Sequence, residues 1–290
     1  MDRVADSSFK PDREHSHERL RVIKPGRGSL KNVLQDLWYS RELLYFLTWR
    51  DVKVRYKQTT LGVLWAVLQP TLQMVVLSIV FGRVAGIARN TGGTPYPIFL
   101  YSGLLPWTFF STTLVGCSGS VVGNAALVTK VRFPRIALPV ASVAAGVVDL
   151  FIASTVLVGL MIWYHVPISI SLLGVPLLVL GLSCISLGFG MVFAALTVTY
   201  RDFRYVVPFM AQIWMFLTPV IYPASIVSAK WRWLMMINPL SGLVAGFRAV
   251  FLGTRIDWTT LGISTLITAF MLLAGAHYFR ATERRFADVI

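Results

Sequence analysis

The chain has 290 residues, 56% of them hydrophobic and only 14% charged, whereas soluble globular domains carry roughly a quarter charged residues. That composition excludes a soluble protein. The 27 Lys and Arg against 13 Asp and Glu leave a net charge of +14, which fits nucleic acid, an anionic membrane surface or loops biased to the cytoplasm. Distribution decides among them: 13 of the basic and eight of the acidic residues fall within residues 1–60, leaving the other 230 almost free of charge.

Residues 1–37 form a charged cytoplasmic tail with no apolar run before a small-residue cleavage site, so no signal peptide is expected and the first span inserts the chain. The stretch Ser40 to Gln58, SRELLYFLTWRDVKVRYKQ, is an amphipathic helix at 100° per residue. Tyr45, Trp49, Val52 and Tyr56 make one stripe, and Arg50, Lys53 and Lys57 another face. Such a helix (40–58) lies in the cytoplasmic interface, either anchoring the first span or docking a partner or an anionic headgroup.

A span needs roughly 20 apolar residues. Lys57 to Arg83 encloses 25 uncharged residues, Arg89 to Lys130 encloses 40, Arg204 to Lys230 encloses 25 and Asp257 to Arg280 encloses 22. The 65 residues between Arg135 and Arg201 are broken only by Asp149 and hold two helices, divided at His165 and Pro167. Six spans result, at about 60–83, 97–123, 138–164, 170–199, 204–222 and 258–280. Both termini and the loops on their side carry 21 basic residues against six on the other side, which puts both termini in the cytoplasm. Charge spread over four segments, with no module of interleaved aromatics, also excludes a nucleic-acid partner.

Two connections are not plain loops. NAALVTKVRFPRIALP, Asn124 to Pro139, reads as a short amphipathic turn that exposes Val131, Phe133 and Ile136; either a partner protein covers them or the turn dips into the headgroups with Lys130, Arg132 and Arg135 at phosphate level. Residues 223–255 include the uncharged run Leu234 to Phe247, broken at Asn238 and Pro239. That run suits two half-helices that enter the membrane and return, capping a passage on the outer side; the alternative is an aromatic belt around Trp231 and Trp233. The fold class is therefore an all-α membrane protein: six transmembrane helices, an amphipathic interface helix and a re-entrant helical pair between spans five and six.

Asp149 is the one acid within a span, and with no basic residue in another span to pair with it reads as a hydrogen-bonded helix contact or a residue of a wet channel. Cys117 and Cys184 sit in apolar stretches, and His15, His17, His165 and His277 are scattered, so no metal site is expected. The sequence has no GxxxxGK[ST], GxSxG or HExxH. It therefore cannot cradle ATP through a P-loop of its own. An enzyme acting on polyprenyl-phosphate sugars, with Arg50, Lys53 and Lys57 on the pyrophosphate, would have only Asp51 and Asp202 beside the spans as acids.

In order along the chain stand WRDVKVRYKQTTLGVLWAVLQP, YPIFLYSGLLPWTFF, KVRFPRIALP, YRDF, LTPVIYP, INPL and a terminal ERRFADVI. As an ordered set, from about Trp38 to Ile290, these resemble the ABC-2 type permeases that export O-antigen, capsular polysaccharide and teichoic acid. The resemblance implies a transport subunit with no catalytic residues: two copies of this chain with two copies of an ATPase that carries the ATP and Mg, and no cofactor here. It implies a coupling segment over Lys130, Val131, Arg132, Phe133, Pro134, Arg135 and Ile136, continuing to Leu138, and gate helices over 223–255. A channel between the two copies would carry a lipid-linked glycan out of the cytoplasm across the inner membrane. Sugar rings lie flat on aromatic rings, which makes Trp107, Phe109 and Phe110 on span two and Trp214, Phe216 and Tyr222 on span five the candidate lining. An ABC-2 permease for lipids or drugs shares this architecture.

Overall fold

A computed structural model describes residues 37–57, 62–131, 133–283 and 285–286. The tail up to residue 36, Gln58, Arg132 and the last four residues of the ERRFADVI segment lie outside the described residues. The chain is all-helical over those residues: α1 (Arg41–Lys57), α2 (Leu64–Leu77), α3 (Tyr96–Gly123), α4 (Ala125–Lys130), α5 (Ala137–Trp163), α6 (Val175–Thr199), α7 (Phe203–Leu217), α8 (Arg232–Ile237), α9 (Pro239–Leu252) and α10 (Trp258–Glu283). A π-helical segment, Ser78–Val84, prolongs α2, and a 3₁₀ turn, Ile170–Gly174, leads into α6. Five of these units are long and apolar enough to cross a bilayer, Leu64–Val84, Tyr96–Gly123, Ala137–Trp163, Ile170–Thr199 and Trp258–Glu283, and with the bent pair Ala229–Ile237 and Pro239–Leu252 counted as one span there are six.

The fifth expected span, between Arg204 and Lys230, is helical over only part of its length. Helix α7 stops at Leu217 after 15 residues, about 22 Å at 1.5 Å per residue and short of the roughly 30 Å hydrocarbon core. Thr218 is extended because Pro219 follows it. The peptide from Thr218 to Ile221 then runs buried against α3. The run from Ala229 to Leu252 is a broken helix pair, bent by 94° between Ile237 and Pro239. Pro239 suits a first helical position, where its missing N–H costs nothing, and the Asn238 side chain caps the new helix by accepting from the Leu240 N–H at 3.1 Å.

Helix α3 is the axis of the fold: 78% of its most apolar stretch is buried within the chain, against 11% for Leu64–Val84. Around it pack α5, α6, α7 and α9, with a core built on Leu104, Phe110, Leu157, Leu182 and Phe247. Helices α6 and α10 meet so closely at Gly188 and Gly275 that a Cβ on either would strike the other's backbone, the close approach that small residues permit between membrane helices. A second cluster closes the end where α1 lies. Leu47 of α1, Val121, Val128, Ile136, Val198, Phe279 and Phe286 share it, with the Phe279 and Phe286 rings edge to face at 5.2 Å.

Asp257 heads α10. Its carboxylate accepts from the Thr259 N–H at 3.1 Å, the Thr260 N–H at 3.2 Å and the Thr260 hydroxyl at 2.5 Å. The Thr260 hydroxyl, with the two backbone donors, holds the carboxyl below its ordinary value. A depressed carboxyl stabilises the fold above its unfolded pKa of about 3.9 and loses that contribution as pH falls through the depressed value. Asp257→Ala is expected to cost about 1 kcal/mol, as for an N-cap, and to flatten the acid limb of a melting-temperature profile; an unchanged acid limb would contradict the cap.

Candidate functional site

The end of α1, the first half of α2, the middle of α3, the middle of α5 and α7 enclose a groove of about 700 Å³. Helix α7 is held to the bundle by Val207, Ala211 and Met215, one buried stripe at four-residue spacing. Its next stripe faces the groove with Pro208 and Gln212. Helix α2 contributes Trp65, Gln69 and Gln73, and α3 contributes Trp107, Thr108, Phe109, Ser111 and Thr112. Three amides and three hydroxyls thus share a wall with Trp65, Trp107, Phe109 and Tyr56. Neutral donors and acceptors in an apolar frame fit a ligand rich in hydroxyls and in flat C–H faces.

One charged cluster stands at the α1 end of this groove. The Arg55 guanidinium donates through Nη1 to Asp149 Oδ2, and the Tyr56 hydroxyl donates to Asp149 Oδ1. Burial, and then the hydrogen bond to Asp149, push the Tyr56 hydroxyl well above its ordinary value, so it stays a protonated donor. Asp149 therefore has a basic partner after all. That partner comes from α1 and not from another span.

The candidate residues are distributed unevenly around this geometry. Trp107 and Phe109 border the groove. Phe110 is fully buried in an aromatic stack, edge to face with Trp214 at 5.3 Å, and Trp214 is edge to face with Phe189 at 5.0 Å. Phe216 is exposed on the outer side of α7, and the Tyr222 hydroxyl donates to the Phe216 carbonyl at 3.0 Å. None of these last four borders the groove. Arg50 pairs with Asp51 at 2.8 Å, and Lys53 and Lys57 are exposed; the groove takes Arg55 from this helix instead. The Tyr45 and Trp49 stripe stays exposed, while Leu43, Leu44 and Leu47 carry the packing of α1.

The segment from Lys130 to Ile136 differs from the expected exposed turn. The helix is Ala125–Lys130, Val131 is extended, and Phe133 to Ile136 lead into α5. Val131 is 49% exposed, but Ile136 is 4% exposed within the buried cluster that holds Leu47 and Phe279. Phe133 packs partly on the same cluster, beside Pro134 and Arg135, which are partly buried. The Arg135 N–H donates to Glu283 Oε1 at 3.1 Å, and its guanidinium donates to the Glu283 carbonyl. Lys130 is exposed at the helix end. At the broken helix pair, Asn238 accepts from Trp214 Nε1 at 3.1 Å and donates to Thr218 Oγ1 at 2.9 Å, while Pro239 is buried. The hinge is thereby tied to the end of α7.

Sequence reasoning missed Gln69, Gln73, Gln212 and Arg55 as groove residues. Their signal was present: Gln69 and Gln73 are four apart on an otherwise apolar span, and an amide facing lipid is costly unless it finds a polar partner. Among the described residues no three His, Cys, Asp or Glu side chains gather where they could hold a metal ion.

The ABC-2 type transporter profile matches residues 42–252, which includes every element that lines the groove. The chain belongs to the ABC-2 type transporter family. This ABC-2 chain is 31% identical over 261 residues to the O-antigen export system permease protein RfbA of Myxococcus xanthus, covering 89% of the chain and 99% of that protein. It is 27% identical over 256 residues to the RfbA protein of Klebsiella pneumoniae, covering 88% and 97%. It is 25% identical over 244 residues to the polysialic acid transport protein KpsM of Escherichia coli, covering 81% and 91%.

Proposed function

We propose that this chain is the permease subunit of an ABC exporter that moves lipid-linked polysaccharide, of the O-antigen, capsule or teichoic-acid type, out of the cytoplasm across the inner membrane. The observation that carries the reading is the groove: amides and hydroxyls set among aromatic rings, with the Arg55–Asp149 ion pair at its α1 end neutralised within itself. The relatives' names, O-antigen export and polysialic acid transport, point to the same cargo class. Two copies of a separate ATPase bind ATP and Mg and supply the energy, and both termini face the cytoplasm with them. The groove is walled by α2 and α7, whose outer faces carry exposed Leu72, Val76, Phe209 and Ile213. A second copy set against those faces closes two grooves into one passage, and the broken pair around Asn238 and Pro239 gates its outer end.

The test is reconstitution. With its ATPase in proteoliposomes, the chain is expected to translocate lipid-linked glycan only when ATP is hydrolysed, and alone to hydrolyse none. Glycan movement without the ATPase, or failure to form the complex, would refute the reading.

Coupling is testable at a narrower point. Ile136 is unsuitable, since a carboxylate there enters the Leu47 and Phe279 cluster and unfolds it. Val131→Asp changes an exposed apolar side chain beside Lys130. It should weaken ATPase association by roughly tenfold or more, as for an interface anchor, with the permease melting as the wild type does. Undiminished association would remove Val131 from the contact.

A further inference from the structure

The groove contains one cation and one anion among its described lining residues, Arg55 and Asp149. Their pairing is incomplete on the arginine side. A guanidinium has five N–H donors, and Arg55 uses one of them, Nη1, on the carboxylate. The carboxylate is held twice, by Arg55 on Oδ2 and by Tyr56 on Oδ1. Neither charge is sealed: the side chains are 32% and 23% exposed, so ions and headgroups that enter the groove can reach them.

We infer that Arg55 is the residue that takes the phosphate of the lipid carrier, leaving Asp149 to Tyr56 as it does so. This rests on the exporter reading above and names the site at which the charged end of that substrate is held. A phosphate entering a groove of amides, hydroxyls and aromatic rings needs a cation, and Arg50, Lys53 and Lys57 do not line it. The phosphate offers several oxygens in the geometry that a guanidinium fork meets with two parallel bonds, against the one bond to Asp149. In the exchange the carboxylate keeps the hydrogen bond from the Tyr56 hydroxyl and its contact with water in the groove. In the empty groove the same pair neutralises both charges, so the apolar span around Asp149 carries no lone ion. Arg55 is in this sense a specificity residue: it selects a phosphate-bearing lipid over a neutral glycolipid of the same length.

The complex of this chain with its ATPase, in phosphatidylcholine nanodiscs, would be titrated with sugar-free polyprenyl diphosphate and the bound fraction read by native mass spectrometry. Arg55→Gln should weaken binding by about tenfold or more, the scale of one lost charge-assisted pair. Arg55→Lys, which keeps the charge but not the fork, should weaken it less. Asp149→Asn should leave binding unchanged or tighten it, because the competing carboxylate is gone, and Lys53→Gln and Lys57→Gln should leave it unchanged. If Arg55 and Asp149 only brace α1 against α5, then Arg55→Gln and Asp149→Asn weaken binding alike and lower the melting temperature alike, which overturns the inference. Loss concentrated in the Lys53 or Lys57 variants overturns it too. Repeating the titration in phosphatidylglycerol nanodiscs separates the two sources of phosphate: binding that persists through Arg55 supports the carrier, and displacement by the bilayer lipid overturns that assignment. Wild-type complex that binds neither the diphosphate nor uncharged polyprenol would count against the exporter reading, whereas uncharged polyprenol bound as tightly as the diphosphate, or strong diphosphate binding untouched by Arg55→Gln, would sink the Arg55 assignment alone.

Discussion

Arg248→Met is expected to remove most of the folded protein from the membrane fraction. Arg248 lies on α9, and its guanidinium donates through Nε to the Phe99 carbonyl at 3.3 Å, through Nη1 to Pro219 at 3.1 Å and through Nη2 to Val220 at 2.9 Å. It also sits 3.7 Å from the centroid of the Phe99 ring. The demand for this cation follows from the early end of α7. Thr218 to Ile221 are neither helix nor strand yet buried, and irregular backbone at such depth survives only when its polar groups find partners inside the protein. Arg248 answers two of those carbonyls and the Tyr96 hydroxyl answers Ile221 at 2.8 Å. Each buried carbonyl left without a donor costs about 1–3 kcal/mol; the Phe99 carbonyl keeps the Ser102 hydroxyl at 2.9 Å, but Pro219 and Val220 lose their donors, which removes a large part of the net stability of a folded domain, about 5–15 kcal/mol. Methionine fills the space and supplies no donor. Arg248→Lys restores the charge but reaches fewer carbonyls from one point, and should fall between. Gly103→Ala tests the same clamp from α3, since a Cβ there would lie 2.5 Å from Nη2 and 3.1 Å from the Val220 carbonyl oxygen. Fluorescence-detected gel filtration after stepped heating measures all three; an Arg248→Met protein that elutes and melts with the wild type would show that the turn is held some other way.

The same clamp marks where the sequence stops being legible. Lipid excludes charge, so uncharged intervals locate apolar helices well, and helix α3 or α10 could be drawn from hydropathy alone. Interval length says nothing about path. The 25 residues between Arg204 and Lys230 are long enough to cross, but Pro219 ends the helix within them and the chain finishes as buried turn. Arg248, which makes that turn affordable, falls within residues 223–255, and nothing local in the sequence ties it to carbonyls 28 and 29 residues earlier. Burial across distance in the chain is equally invisible: Ile136 reads as exposed from its neighbours, yet it lies in a buried cluster that includes Leu47 and Phe279, far away in sequence. The groove escaped for a simpler reason. Isolated amides barely change the hydropathy of an apolar run, so Gln69, Gln73 and Gln212 blend into their spans, although neutral polar groups are the ones suited to a neutral polymer.

Thr112→Trp should bring glycan export to background while leaving the fold alone. Thr112 lines the groove from α3 and is exposed there, and its hydroxyl donates only to its own helix, to the Thr108 carbonyl at 2.8 Å and the Phe109 carbonyl at 3.2 Å. The hydroxyl has no partner on another helix, so its loss frees no bond between elements. An indole at this position projects into a space of about 700 Å³ rather than into packed core, which avoids the about 1–3 kcal/mol that overpacking costs elsewhere. A polymer must pass the point residue by residue, so one fixed obstruction stops every sugar, and the expected loss is greater than the tenfold or so that a single weakened contact produces. Thr112→Ala, which removes the hydroxyl and opens the groove, should export nearly as the wild type does. The measurement is surface glycan in cells or lumenal glycan in proteoliposomes, read beside melting temperature and ATPase association. Undiminished export by a Thr112→Trp protein that folds and binds its ATPase normally would place the path of the polymer elsewhere, most directly along the exposed outer faces of α2 and α7.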